Sequence, residues 1–317
     1  MTNPDAPLMS GAGAQSDVAT SADARLTPGS HTAAVNGNRL HYEVRGSGPV
    51  LLFPSPGWGP SIAYLMPQPA LEAHCTVVYF DTRHSGESSG PEDPTQYTLA
   101  HFVADIEGLR QHLGGQRVFL AGHSAGGQQV LAYAIEHSAD LLGVIAIDAI
   151  AAPDELRRKE LVAAIERRRT HPFYASRPGF LDAGLAIVTG ADSTPRSTTE
   201  VLDAIGPFYF HDPELAADVM PTLDVDETVN GYANASGFQG DDVLADLHRI
   251  TVPTLVVVGD DDFICDPVSQ AARIHLRIAG STLAVIEDSG HVPWAEQPAR
   301  FHAAVDAWLA ASTTALA

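Results

Sequence analysis

Val118-Phe119-Leu120-Ala121-Gly122-His123-Ser124-Ala125-Gly126-Gly127-Gln128-Gln129-Val130-Leu131-Ala132-Tyr133-Ala134 is the stretch from which the fold can be read. It opens with four apolar residues, as a buried strand does. It then passes through a run of small residues and continues with Val130, Leu131, Ala134 and Ile135 on one side, the pattern of an amphipathic helix. Gly122-His123-Ser124-Ala125-Gly126 lies at the junction. A strand turning sharply into a helix there would hold the serine hydroxyl exposed, and small neighbours let the backbone bend that tightly. A second match to Gly-x-Ser-x-Gly, Gly86-Glu87-Ser88-Ser89-Gly90, has polar neighbours and runs into Pro91 and Pro94. That is loop chemistry, so Ser88 is read as structural and Ser124 as the candidate nucleophile.

On either side the same alternation recurs. Thr32–Val35 and Arg39–Arg45 flank Asn36-Gly37-Asn38, a hairpin signal. Val50–Phe53, Thr76–Phe80, Leu142–Ile147, Pro253–Val258 and Thr282–Ile286 are short apolar runs that predict strands. Between and after them, Phe102, Ile106, Leu109 and Leu113 mark one helix, Val268–Ile278 another, and Phe301, Val305 and Trp308 a last one. Strands alternating with helices predict an α/β fold, a mostly parallel central sheet with helices on both faces. Residues 152–240 break the rhythm with a helix from Asp154 to about Arg169 and aromatic-rich fragments, and are expected to form a helical cap inserted into a core of residues 31–151 and 241–317. Residues 1–30, small and polar without periodicity, are expected to be a disordered tail.

Composition narrows the function. Asp and Glu total 39 against 18 Lys and Arg in 317 residues, a formal charge of −21. Such a surface repels phosphate backbones and anionic lipid, so nucleic acid and membrane are excluded as partners in favour of a small-molecule substrate. No window approaches the roughly 20 apolar residues of a spanning helix. The opening residues lack the basic start and apolar core of a secretory signal, so the chain reads as cytoplasmic. With Cys75 and Cys265 as its only cysteines, a disulfide scaffold or Cys-rich metal site is also excluded, and neither metal nor organic cofactor is expected.

A serine hydroxyl needs a base to take its proton, and the base needs a carboxylate to orient it. Strand Thr282–Ile286 runs into Glu287-Asp288-Ser289-Gly290-His291, which makes His291 the candidate base. The strand ending at Val258 leads into Gly259-Asp260-Asp261-Asp262, and Asp262 has room to turn back toward His291. Asp148, at the end of Leu142–Ile147, is the alternative acid. His123, although adjacent to the serine, is read as a packing residue. The oxyanion needs two N–H donors. Ala125 is expected to supply one. The other falls in Pro54-Ser55-Pro56-Gly57-Trp58, where the prolines have no N–H, leaving Trp58 ahead of Gly57.

These residues resemble the α/β-hydrolase superfamily from about residue 31 onward. Asp81-Thr82-Arg83-His84-Ser85-Gly86-Glu87-Ser88 is similar to the Asp-x-Arg-Gly-x-Gly-x-Ser loop of the proline iminopeptidase branch, with His84 in place of a glycine. Gly259-Asp260-Asp261-Asp262-Phe263-Ile264-Cys265 looks like that branch's Gly-x-x-Asp-x-x-Cys acid loop, which supports Asp262, and Gly290-His291 with Glu296 and Pro298 resembles the superfamily's histidine loop. Pro56-Gly57-Trp58-Gly59 stands where the branch carries His-Gly-Gly-Pro-Gly. The resemblance implies a scaffold role for the 81–88 loop, with Arg83 in ion pairs.

The expected activity is that of a serine hydrolase cleaving small ester, lactone or amide bonds through an acyl-enzyme. One alternative is an aminopeptidase of the proline iminopeptidase kind, which would need cap carboxylates such as Glu160, Glu166, Asp203 or Glu214 to hold a free amine. Another is a ligand-binding or non-hydrolytic protein on the same scaffold.

Overall fold

A computed structural model describes residues 24–314. Its strands are β1 (Gly29–Val35), β2 (Asn38–Gly46), β3 (Val50–Pro54), β4 (Thr76–Phe80), β5 (Val118–His123), β6 (Leu141–Ile147), β7 (Thr254–Gly259) and β8 (Thr282–Ile286). They form one sheet in the order β1-β2-β4-β3-β5-β6-β7-β8. β2 runs antiparallel to β1 and β4, and every pairing from β4 to β8 is parallel. The β1–β2 hairpin closes on Asn36 and Gly37, whose φ values of 50° and 82° suit a tight turn matched to strand twist.

β3, β5 and β7 are buried throughout, as strands covered on both faces must be. Their side chains alternate between two cores. Leu52, Leu120 and Val256 enter one, with Ile106 of α1 (Leu99–His112) and Val130 of α2 (Ala125–His137). Phe53, Phe119 and Val257 enter the other, with Phe301, Val305 and Trp308 of the last helix.

The expected disordered tail ran through residue 30. Residues 1–23 lie outside the described residues, but 24–30 are placed by tertiary contacts that their composition conceals. Gly29 and Ser30 pair with Val44 and Glu43, Leu26 packs on the core, and an Arg25 guanidinium N–H donates to the His112 carbonyl at 2.5 Å.

Between β6 and β7 come α3 (Glu155–Arg167), α4 (Phe180–Val188), α5 (Thr198–Ile205) and α6 (Glu227–Ser236). α3 starts where the Asp154 side chain accepts from the Arg157 N–H, and α5 starts on a capping box of Ser197 and Glu200. Tyr174, Leu181, Ile205 and Phe208 build a separate small core here, joined by Phe263. The chain returns to the body before residue 240, the expected boundary. Val229 and Ala233 of α6, together with Phe238, belong to the main core, with Phe238 4.6 Å from Phe102. After β7, residues Pro267–Ala271 form a π turn ahead of α7 (Ala272–Arg277), and α8 (Pro298–Thr314) follows β8. Among the described residues no helix is long and apolar enough to cross a membrane.

The 81–88 loop is a buried polar anchor. Ser88 Oγ donates to the Asp81 carbonyl at 2.8 Å and accepts from the His41 N–H at 2.8 Å. His84 takes φ 61°, in the region that favours glycine, which is the residue the similar loop carries there. Arg83, 2 % exposed, makes two 2.8 Å bonds to Asp105. Removing one member of such a pair strands the other charge in low dielectric. Arg83→Ala should lose about 3–5 kcal/mol in urea unfolding, and Arg83→Met with Asp105→Leu should recover much of it. A loss below about 1 kcal/mol for the single variant would contradict the buried-pair account.

Candidate active site

The bend after β5 is built from contacts that only small residues allow. Ser124 adopts φ 57° and ψ −121°, strained for a residue with a side chain. Its N–H donates to the Ile147 carbonyl at 3.0 Å, and its own carbonyl accepts from the Ile150 N–H at 3.2 Å, so the end of β6 and the turn after it hold it from both sides. A Cβ on Gly122 would lie 2.3 Å from the Gly126 carbonyl oxygen, and one on Gly127 2.4 Å from the Ala149 Cβ. The Ser124 hydroxyl makes no hydrogen bond among the described residues and faces a cavity. Ala125 opens α2, so its N–H is one of the helix-end donors without an intrahelical acceptor.

His291 lines the same cavity, in the loop after β8. Its Nδ1 bonds Asp262 Oδ2 at 2.7 Å, while Asp262 Oδ1 accepts from the Ile264 and Cys265 N–H groups at 2.8 and 3.1 Å. With Nδ1 committed to the carboxylate, Nε2 is left as the proton acceptor. Burial works against ionising Asp262, but the His291 charge and these hydrogen bonds outweigh it and hold the carboxyl below the usual carboxylate range. The acid and histidine loops touch directly: a Cβ on Gly259 would fall 2.0 Å from the Gly290 carbonyl oxygen.

Asp148, the alternative acid, does not engage His291. Its Oδ1 accepts from the Gly259 N–H at 2.9 Å, and its buried Oδ2 has no partner among the described residues. Burial first, then the Asp262 charge, hold its carboxyl well above the usual range. His123 shares the cavity wall with Ser124, but its ring is committed to a bonded chain. Its ring Nε2 donates to the His291 carbonyl at 2.8 Å, and Nδ1 is 3.1 Å from the Tyr64 hydroxyl, which donates to it. Burial, with the His291 charge, drives the His123 pKa well below its ordinary value.

Trp58 lines the cavity behind Gly57, whose φ is 86°. A Cβ on Gly57 would lie 2.6 Å from Gln129 Nε2 and 3.1 Å from the Phe102 ring, so glycine is what lets this turn sit against α1 and α2. Ser55 steadies the turn through its hydroxyl, which accepts the Thr82 N–H at 3.0 Å.

The cavity, of about 90 Å³, is walled by Ile150, Ile264 and Val292 and, from the inserted segment, by Leu202, Met220 and Leu223. Among the described residues neither carboxylate nor Lys or Arg lines it. One candidate ligand set for a metal is nearby: Asp262, Cys265 and His291 bring donor atoms within 4.8 Å of one another. Burial pushes the Cys265 thiol well above its usual pKa, and both Asp262 oxygens already accept N–H groups, so the trio fits a carboxylate–imidazole pair beside a packed thiol.

Sequence reasoning did not find Tyr64, or Tyr209, whose carbonyl accepts the His291 N–H at 2.7 Å and whose ring packs on the imidazole at 5.3 Å. No local pattern marks either. Glu296 was visible in the histidine-loop resemblance, but not its job: one oxygen accepts the Gly290 N–H at 2.7 Å, the other the His211 N–H at 2.7 Å. It thereby straps the histidine loop to the inserted segment.

Comparison with known proteins agrees with this architecture. The family model described as the alpha/beta hydrolase fold matches residues 49–298. A proline iminopeptidase of Saccharolobus solfataricus is 29% identical over 274 residues, covering 81% of this chain and 83% of the relative. Among solved structures, a proline iminopeptidase of Mycobacterium smegmatis superposes with a TM-score of 0.70 at 21% identity, over 91% of this chain and 100% of that one. An enol-lactonase of Burkholderia xenovorans gives 0.63 at 25% identity, over 88% and 100%.

Burial raises the Glu296 pKa from 4.5 to about 7 against the opposing pull of its two N–H donors. A group whose folded pKa is raised gives its full stability below the unfolded value, here 4.5, and loses it as pH rises through about 7. Urea unfolding at about pH 5 and about pH 8.5 should therefore show a smaller alkaline loss in Glu296→Gln than in the wild type. Equal losses in the two proteins would contradict this reading.

Proposed function

The chain belongs to the α/β-hydrolase fold family and is a hydrolase, and on that premise we propose that it cleaves ester, lactone or amide bonds of small uncharged molecules through Ser124, His291 and Asp262. The observation that carries the proposal is one cavity wall shared by a serine on a strained bend and an imidazole clamped through Nδ1 to a buried carboxylate.

Ser124 Oγ adds to the acyl carbon as its proton passes to His291 Nε2. The carbonyl electron pair moves onto oxygen, where the Ala125 and Trp58 N–H groups receive the charge. Collapse expels the alcohol or amine, which takes the proton back from His291. Water, deprotonated by the same nitrogen, then releases the acid and restores Ser124. Asp262 keeps the Nδ1–H tautomer and offsets the imidazolium charge. Ligand-free sites often lack the serine–imidazole hydrogen bond that forms with substrate, so an unbonded Ser124 hydroxyl is compatible with this role. The inserted segment ahead of α6 acts as a cap, and its Leu202, Met220 and Leu223 supply the cavity's outer wall.

The named activity of the iminopeptidase relatives supports a second reading, removal of an N-terminal residue. That chemistry needs an anionic group to hold the substrate ammonium. None lines the cavity: Glu166 pairs with Arg169 on the surface, and Asp203 and Glu214 line a separate groove. The uncharged cavity favours the ester, lactone and amide reading.

A fluorophosphonate probe should label the wild type and leave Ser124→Ala unlabelled. Ser124→Ala, His291→Ala and Asp262→Asn should each lower kcat on a short acyl ester by on the order of 10³-fold or more. Equal labelling of Ser124→Ala would overturn the assignment, and turnover of proline arylamide but not of esters would favour the peptidase.

A further inference from the structure

A second compartment adjoins the cavity of Ser124 and is different in chemistry. It holds about 310 Å³ and shares Trp58, Leu202, Tyr209 and Gln239 with the inner cavity, so the two meet at a common partition. Its remaining walls come from two elements of the inserted segment: Arg196 just before α5 and Thr198, Val201 and Ile205 on it, and Asn230 and Asn234 on α6, so an apolar strip from α5 faces polar side chains.

The side chains there carry unused hydrogen-bonding capacity without net charge. Asn230 spends one N–H on the Trp58 carbonyl at 3.3 Å, and its oxygen accepts from Asn234 at 3.0 Å. That leaves the second N–H of Asn230 and the oxygen of Asn234. The Gln239 amide makes no hydrogen bond among the described residues. The one cation, Arg196, is neutralised by Asp192 at 2.7 Å, and no carboxylate lines the compartment. Such walls suit a ligand that is polar, uncharged and rich in donors and acceptors.

Access decides which half of the substrate goes where. The inner walls His123, Ile150 and Val292 are buried, whereas Asn234 on the outer rim is exposed. In acyl-enzyme chemistry the acyl group stays bonded to Ser124 while the alcohol leaves and water enters, so the alcohol needs the compartment that opens to solvent. We propose that the outer compartment is the leaving-group site. The preferred substrates are then esters joining an apolar acyl group, held against Ile150, Leu223 and Val292, to a neutral polyhydroxylated or amide-bearing alcohol held by Asn230, Asn234 and Gln239. This rests on the serine-hydrolase reading above.

The test compares 1-monobutyrin with ethyl butyrate, which share the acyl group and differ in the alcohol. The wild type should prefer monobutyrin by at least tenfold in kcat/KM. Asn234→Leu and Gln239→Leu should each cut that ratio at least threefold, chiefly through KM. Glycerol should also inhibit the wild type more strongly than 1-propanol, a measurement that needs no variant. Equal use of both esters, or a ratio unchanged in both variants, would overturn the leaving-group assignment. Loss of both activities in Ser124→Ala separates that failure from failure of the hydrolase reading, in which ester turnover would be absent or independent of Ser124.

Discussion

Everything at this site depends on the backbone bend at Ser124. A positive φ on a residue with a side chain costs on the order of 1–3 kcal/mol and persists only where its surroundings over-determine it. Here they do. The end of β6 and the turn after it bind the Ser124 peptide on both sides, through Ile147 and Ile150, while Gly122 lets α2 close onto the strand that feeds it and Gly127 lets it sit against Ala149. The hydroxyl is consequently displayed at the sheet's C-terminal edge, and the first free helix donor, Ala125, stands beside it. Such edges are where parallel α/β sheets hold their ligands.

The same edge gathers several ionisable groups, and the fold keeps most of them uncharged. His123 is neutral because it is buried and faces His291, and burial together with the Asp262 charge holds the Asp148 carboxyl well above the usual carboxylate range. Cys265 remains a thiol because it is buried beside Asp262. Asp262 is the carboxylate of this group that is held low, by two backbone N–H donors and the imidazole it faces. Among the described residues the cavity wall is accordingly without carboxylate, Lys or Arg, and its apolar parts oppose burial of an ammonium or a carboxylate.

How much of this was legible follows from how local each signal is. Parallel strands buried on both faces appear as unbroken apolar runs, so β3 to β7 could be read to within about two residues, and the half-exposed edge strand β8 carries the same kind of run. The bend at Ser124 and the loops at Asp262 and His291 were visible because glycine and aspartate punctuate strand ends. Residues 24–30 were not, since Gly29 and Ser30 join the sheet only because β2 offers them a partner. Nor was the home of α6 and the turn after it, whose Tyr232 and Phe238 pack on Tyr97 and Phe102 from distant parts of the chain. The cavity walls, and the roles of Tyr64, Tyr209 and Glu296, depend on where the cap settles, which no spacing records.

The most direct measurement is intact-protein and peptide mass spectrometry of the wild type quenched during turnover of a butyrate ester. The account predicts a butyryl increment located on the peptide bearing Ser124, accumulating in the wild type and absent from Ser124→Ala. Steady turnover with the increment on another residue, or with oxygen exchange chemistry that never acylates the chain, would contradict it.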